Sequence, residues 1–119
     1  MFDKVKGQVH MEEMTRQEAV EQQIKEKDLV ILYFTGSACG ACEVIKMKVE
    51  SVLCQYPSVQ AIEINGAKYP EVAACYEVYA LPLIILFVQG KESIRVGRNL
   101  DLLEFERKLV RYMNMMNPR

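Results

Sequence analysis

The stretch Leu29-Val-Ile-Leu-Tyr-Phe-Thr-Gly-Ser-Ala-Cys-Gly-Ala-Cys42 decides the fold. Its opening run, Leu29 to Thr35, is β-branched, aromatic and continuous rather than alternating, which is the pattern of a strand buried on both faces. Gly36 and Ser37 break that strand. From Ala41 onward Val44, Ile45, Val49, Val52 and Leu53 recur at helical spacing, with Glu43, Lys46, Lys48 and Glu50 facing elsewhere, so a helix is expected to about Gln55, before Pro57. Val59 to Asn65 supplies the next strand, and the three pieces form one βαβ unit. The pair Cys39 and Cys42 sits at its first strand-to-helix junction.

Toward the N-terminus, Thr15 followed by Glu18 is a capping-box pattern opening a helix to about Lys27, with Val20 and Ile24 as its apolar contacts. An extra strand is expected over Gln8 to Met11. Toward the C-terminus, Pro70 opens a short helix through about Val78, and Leu81-Pro82 precedes the apolar strand Leu83 to Val88. Gln89-Gly90 turns the chain into an edge strand, Glu92 to Val96, ended by Gly97. A last helix is expected from an N-cap at Asn99, carrying Leu102, Phe105, Leu109, Tyr112 and Met116 on one stripe.

The chain has 119 residues, half of them apolar, which suits one domain over residues 1–119 with a core of ordinary size. Its 15 basic and 16 acidic residues are spread without runs, so neither nucleic acid nor an anionic membrane is an expected partner. The longest apolar stretch, Leu81 to Val88, is strand-sized and interrupted by Pro82, and Met1 to Glu13 lacks the apolar core of a secretory signal. A cytoplasmic monomer is expected. Four cysteines are few for a secreted disulfide framework, and two of them are three positions apart, so chemistry explains them better than stapling.

That chemistry follows from position. A helix start leaves backbone N–H groups unpaired and carries partial positive charge, so a thiol there ionises more readily than a free one. Cys39 has that position and is the candidate nucleophile; Cys42, one turn on, can resolve the resulting mixed disulfide. Burial as small hydrophobes is the plainer reading of the pair, and the Gly-Ser break before it argues for redox use. A structural zinc site would need four ligands, and Cys54, Cys75 and His10 are isolated residues. Cys54 is read as packing, Cys75 as a plain or regulatory thiol, His10 as solvated or capping, and Met113, Met115 and Met116 as packing at the end of the last helix.

Over nearly its whole length the sequence resembles the thioredoxin family. The likeness rests on Leu29 to Thr35 leading into Cys39-Gly-Ala-Cys42, on Ala61-Ile-Glu-Ile-Asn65, on Ala80-Leu-Pro-Leu83 with Gln89-Gly-Lys91, and on Val96-Gly97. It implies a three-layer α/β/α thioredoxin fold with a central mixed sheet of four to five strands. It also implies a thiol-disulfide oxidoreductase that reduces protein disulfides, with electrons from a thioredoxin-reductase-like donor and no bound cofactor or metal. Pro82, ordinary at a strand start in sheets generally, is implied to be cis and to face the dithiol, with Leu81 offering backbone groups to an extended substrate. Ala38, Gly40 and Ala41, with Gly36 and Ser37, form the surrounding surface.

The departures are informative. Ala38 stands where the family has tryptophan, Ala41 where it has the spacer proline, and Tyr33 where it has a buried aspartate. Loss of the spacer proline implies a less reducing couple than a housekeeping thioredoxin. Loss of the aspartate leaves Cys42 to be deprotonated by water, by Tyr33, or by Glu63 if that side chain points inward. The same three departures motivate a binding or chaperone-like module as an alternative, and Cys75 or Cys54 a thiol redox sensor.

Overall fold

The central strand is β2, Leu29–Thr35, and every one of its residues is buried. The reason is visible in its neighbours. Leu29, Ile31 and Tyr33 enter one core cluster, and Val30, Leu32 and Phe34 enter the other, so successive side chains serve opposite faces of one sheet. The computed structural model describes residues 11–116. His10 and most of the expected Gln8 to Met11 strand lie outside them. The strand found there is β1, Glu12–Glu13, and Met11 is not part of it.

The remaining elements are α1 (Gln17–Glu26), α2 (Gly40–Leu53), β3 (Gln60–Asn65), α3 (Pro70–Cys75), β4 (Leu83–Val88), β5 (Lys91–Val96) and α4 (Leu102–Met116). The sheet order is β1-β3-β2-β4-β5. β1, β3 and β2 run parallel, while β4 is antiparallel to β2 and β5 to β4. Ile45, Val49 and Leu53 of α2 pack with Phe105 and Leu109 of α4 on one face, and Val20 and Ile24 of α1 with Val72 and Ala73 of α3 on the other. The result is a three-layer α/β/α fold with a mixed five-stranded sheet.

Several boundaries differ from expectation, each for a local reason. The N–H of Met14 is bonded to the carbonyl of Glu63, which holds Thr15 in the connection; Arg16 is the N-cap of α1 and makes no side-chain cap bond, so no capping box forms. α2 ends at Leu53 because Gln55 and Tyr56 bond back to Val52 and Leu53 in a tightened last turn. Val44 lies one position off the Cys42, Ile45, Val49 stripe and is 53% exposed. α3 stops at Cys75, short of Val78: the N–H of Glu77 reaches Ala74 and that of Val78 reaches Ala73, a Schellman closure with Glu77 at φ 56°. Asn99 falls in a turn closed from Leu100 to Gly97, and Asp101 caps α4 through Oδ1 to the Glu104 N–H at 3.1 Å. β5 begins at Lys91 after a two-residue turn in which Gln89 and Gly90 both have positive φ, and an irregularity opposite Leu86 and Phe87 leaves Ser93 unpaired. At the end of α4, Met113 and Met116 pack against the core, whereas Met115 is exposed.

Candidate active site

Cys39 is the N-cap of α2, and its Sγ accepts the N–H of Cys42 at 3.2 Å. That N–H is shared, since it also bonds the Cys39 carbonyl at 3.2 Å, and a helix-start donor aimed at sulfur would favour a thiolate there. The two cysteines are joined as a disulfide with Cα atoms 5.3 Å apart. Their exposure is unequal: Cys39 is half-buried, and Cys42, in the first turn of α2, is only 1% exposed. Ala38, immediately before the pair, is held at φ 54°, a left-handed conformation unusual for a residue with a Cβ. Around Gly40 the surface is open, with no atom within 4 Å of where a Cβ would stand.

The start of β4 lies beside the end of β2, which leads into the dithiol. Continuing the antiparallel register beyond Phe34 and Leu83 brings Pro82 beside Thr35 and Leu81 beside Gly36. The Leu81–Pro82 peptide bond is cis, and Pro82 is buried. The Leu81 side chain fills the space left by two glycines: a Cβ on Gly36 would come within 2.8 Å of Cδ1, and one on Gly66 within 3.2 Å of Cδ2. Past Leu81 an apolar cleft of about 340 Å³ opens among Gly66, Pro70, Ala73, Val78 and Tyr79, and Tyr79 is 82% exposed at its rim.

Beneath the dithiol, Tyr33 is fully buried and its hydroxyl donates to the Cys42 carbonyl at 2.5 Å, so it holds the main chain and not the sulfur. Glu63 pairs in register with Tyr33 from β3 and is on the same face of the sheet as Ala61, toward α2. There it meets Lys46, whose Nζ lies 2.9 Å from Glu63 Oε1 with both side chains largely buried. Sequence reasoning left Lys46 among the outward-facing charges. The signal that could have found it was the parity of Glu63, which turns a carboxylate toward α2. Cys54 is half-buried with its thiol on the Ser51 carbonyl, and Cys75 is exposed against Gln17, both away from the Cys39–Cys42 pair in sequence. Among the described residues no group of three or more His, Cys, Asp or Glu side chains gathers to hold a metal, and no helix is long and apolar enough to cross a membrane.

Three tyrosines are held in their neutral form. Burial, followed by the Glu63 charge, raises the Tyr33 hydroxyl well above its ordinary value. Burial pushes Tyr76, whose hydroxyl has no partner, up to about 12. The hydrogen bond that Tyr56 donates to Glu106 raises it as well. The folded protein therefore keeps protons that the unfolded chain releases near pH 10, and the stability they contribute is present below that value and lost as pH rises through the raised folded values. The urea midpoint is expected to be level between about pH 7 and 9 and to fall beyond about pH 10, with a shallower fall in Tyr33→Phe. An equally steep fall in that variant would contradict the assignment.

A disulfide-forming cysteine pair at the start of the helix of a βαβ unit is the arrangement of a thiol-disulfide oxidoreductase. The comparisons agree: the family model for thioredoxin matches residues 10–111, and the chain belongs to the thioredoxin family. The thioredoxin-like protein YdfQ of Bacillus subtilis is 30% identical over 93 residues, covering 78% of this chain and 83% of its own. Thioredoxin-1 of Saccharomyces cerevisiae is 33% identical over 73 residues, covering 61% and 71%. Among solved structures, thioredoxin from Trypanosoma brucei brucei superposes with a TM-score of 0.78 at 23% identity, covering 88% of this chain and 92% of that one, which speaks to the fold alone. The Fasciola hepatica thioredoxin does so with a TM-score of 0.75 at 27% identity, covering 86% and 99%.

Proposed function

We propose that the protein reduces disulfides in other proteins, as a cytoplasmic monomer recharged by a thioredoxin-reductase-like donor. The observation that carries this reading is the unequal exposure of the pair, with Cys39 half-buried at the helix start and Cys42 at 1%. The Cys39 thiolate attacks one sulfur of the substrate disulfide, forming a mixed disulfide and releasing the other sulfur as a thiolate that takes up a proton. Cys42 then loses its proton and attacks Cys39, so the second substrate thiol leaves and two electrons have passed to the substrate. The small residues Ala38, Gly40 and Ala41 leave room for a polypeptide, and the cleft past Leu81 extends that surface. The binding-module and sensor alternatives have less support, since a pair that forms a disulfide is present and Cys54 and Cys75 are single thiols.

The test is the equilibrium of the pair in defined glutathione buffers, with the disulfide located by alkylation and mass spectrometry. A midpoint more negative than about −250 mV is expected of a reductase, whereas one of about −180 mV or higher would replace that reading with an isomerase or oxidase. For the proton leaving Cys42, the reading favours Glu63 acting through water, because the Tyr33 hydroxyl is spent on a carbonyl and held protonated. Glu63→Gln is expected to slow release from the mixed disulfide about tenfold or more, and Tyr33→Phe by less than about threefold, in quenched-flow measurements. The reverse order would make the tyrosine the relay.

A further inference from the structure

Two arginines follow one another at the end of β5 and are used in opposite ways. Arg95 uses four of its five donors: Nε and Nη2 bind the Glu92 carboxylate, and Nη1 and Nη2 bind the carbonyls of Glu77 and Tyr76. Arg98 makes a single bond, from Nη2 to the Leu81 carbonyl at 3.2 Å, and is exposed. Among the described residues no carboxylate lies within ion-pair distance of it. A guanidinium has five donor hydrogens in a rigid fork, so most of this one faces solvent unpaired while one arm fixes its location.

That location adjoins the segment that leads into the dithiol. Leu81 is the residue before the cis-proline, its side chain lies against Gly36, and Gly36 precedes Cys39 by three positions. The loop carrying Arg98 runs close behind it, since a Cβ on Gly97 would stand 3.4 Å from the Pro82 carbonyl oxygen. The dithiol is electrically unlike it: the attacking species is an anionic sulfur, and Glu43 is exposed directly after Cys42. The partial positive charge of the helix start offsets part of this, and a cation near Leu81 would favour an entering substrate carboxylate further.

We infer that Arg98 is a specificity-determining residue that selects polypeptide disulfides bearing a carboxylate side chain next to the attacked cysteine. This rests on the dithiol reading above. The Leu81 carbonyl aims the fork, and the incoming carboxylate takes the remaining donors as a charge-assisted pair. Because the pair is exposed, the expected preference is modest, about two- to fivefold, and falls toward one in molar salt.

The experiment uses pre-reduced protein in single turnover with two disulfide peptides that differ only beside the cysteine, glutamate in one and lysine in the other. Each rate is divided by that of the same peptide with dithiothreitol, which removes the peptide's own reactivity. The wild type is expected to prefer the glutamate peptide, Arg98→Gln to bring the ratio near one, Arg98→Glu to invert it, and Arg98→Lys to restore part of it. A merely structural brace on Leu81 would slow both peptides alike. A glutamate preference that survives in Arg98→Gln or Arg98→Glu overturns the inference. If the wild type reduces neither peptide, the dithiol reading itself fails and the inference goes with it.

Discussion

Replacement of Cys39 by serine is expected to lower the rate of disulfide reduction by at least about a thousandfold, while Cys42→Ser is expected to stop the reaction halfway. The two outcomes differ because the two sulfurs do different work. A hydroxyl at the N-cap of α2 would receive the same N–H from Cys42, but an alcohol ionises far less readily than a thiol, and the helix start does not close that gap. Cys42 cannot substitute, being only 1% exposed. With Cys39 intact and Cys42 replaced, attack on the substrate proceeds and the mixed disulfide persists. Intact-mass measurement should then find about one substrate chain covalently held per protein, released by dithiothreitol. Retention of activity in Cys39→Ser, or trapping through Cys42, would reverse the roles; an unchanged biochemical role in Cys39→Ser would point to a binding module.

What the sequence disclosed and what it hid divide along a physical line. The continuous run Leu29 to Thr35, the stripe of α4 and the Cys39–Cys42 junction are statements about periodicity and local chemistry, and periodicity survives folding because burial enforces it. The end of α3 was illegible because its left-handed closing residue is Glu77, with no glycine to announce it. The closure is supported from β5, where Arg95 binds the carbonyls of Tyr76 and Glu77 across 19 and 18 residues of sequence. Asp101 outcompeted Asn99 as a cap because a turn from Gly97 to Leu100 had already claimed the latter. Lys46 and Arg98 were missed for one shared reason: each acquires its meaning from a partner distant in sequence, Glu63 for one and the Leu81 carbonyl for the other.

The Lys46–Glu63 pair also explains how the layer beneath the dithiol dispenses with a buried aspartate. Where the family resemblance expects a carboxylate on β2, this chain has a phenol, and the ionised pair lies instead between α2 and β3. Tyr33 fills the volume and satisfies the Cys42 carbonyl without adding a charge. The Glu63 charge raises Tyr33, so the two groups are electrostatic neighbours, and a second carboxylate at position 33 would sit against the first.

Tyr33→Asp is therefore expected to be among the most destabilising single changes in the protein, by at least about 4 kcal/mol, or a fall in Tm on the order of 20 °C. Removing a fully buried ring leaves a cavity in the cluster shared with Ile45, Val49 and Leu86. The introduced carboxyl is desolvated and faces Glu63, while Lys46 is already engaged. Both effects raise its folded pKa above the unfolded value, so the variant keeps most stability below about pH 4 and loses it as pH rises through the folded pKa. The stability gap from wild type should thus be wider at pH 8 than at pH 5. Adding Glu63→Gln should return about 1 kcal/mol or more, because it removes the repelling charge and frees Lys46 to pair with the new carboxylate. Urea denaturation of the four proteins measures this coupling directly. If Glu63→Gln costs as much in the Tyr33→Asp background as in the wild type, the two sites are independent and the layer beneath the dithiol is not organised around the Lys46–Glu63 pair.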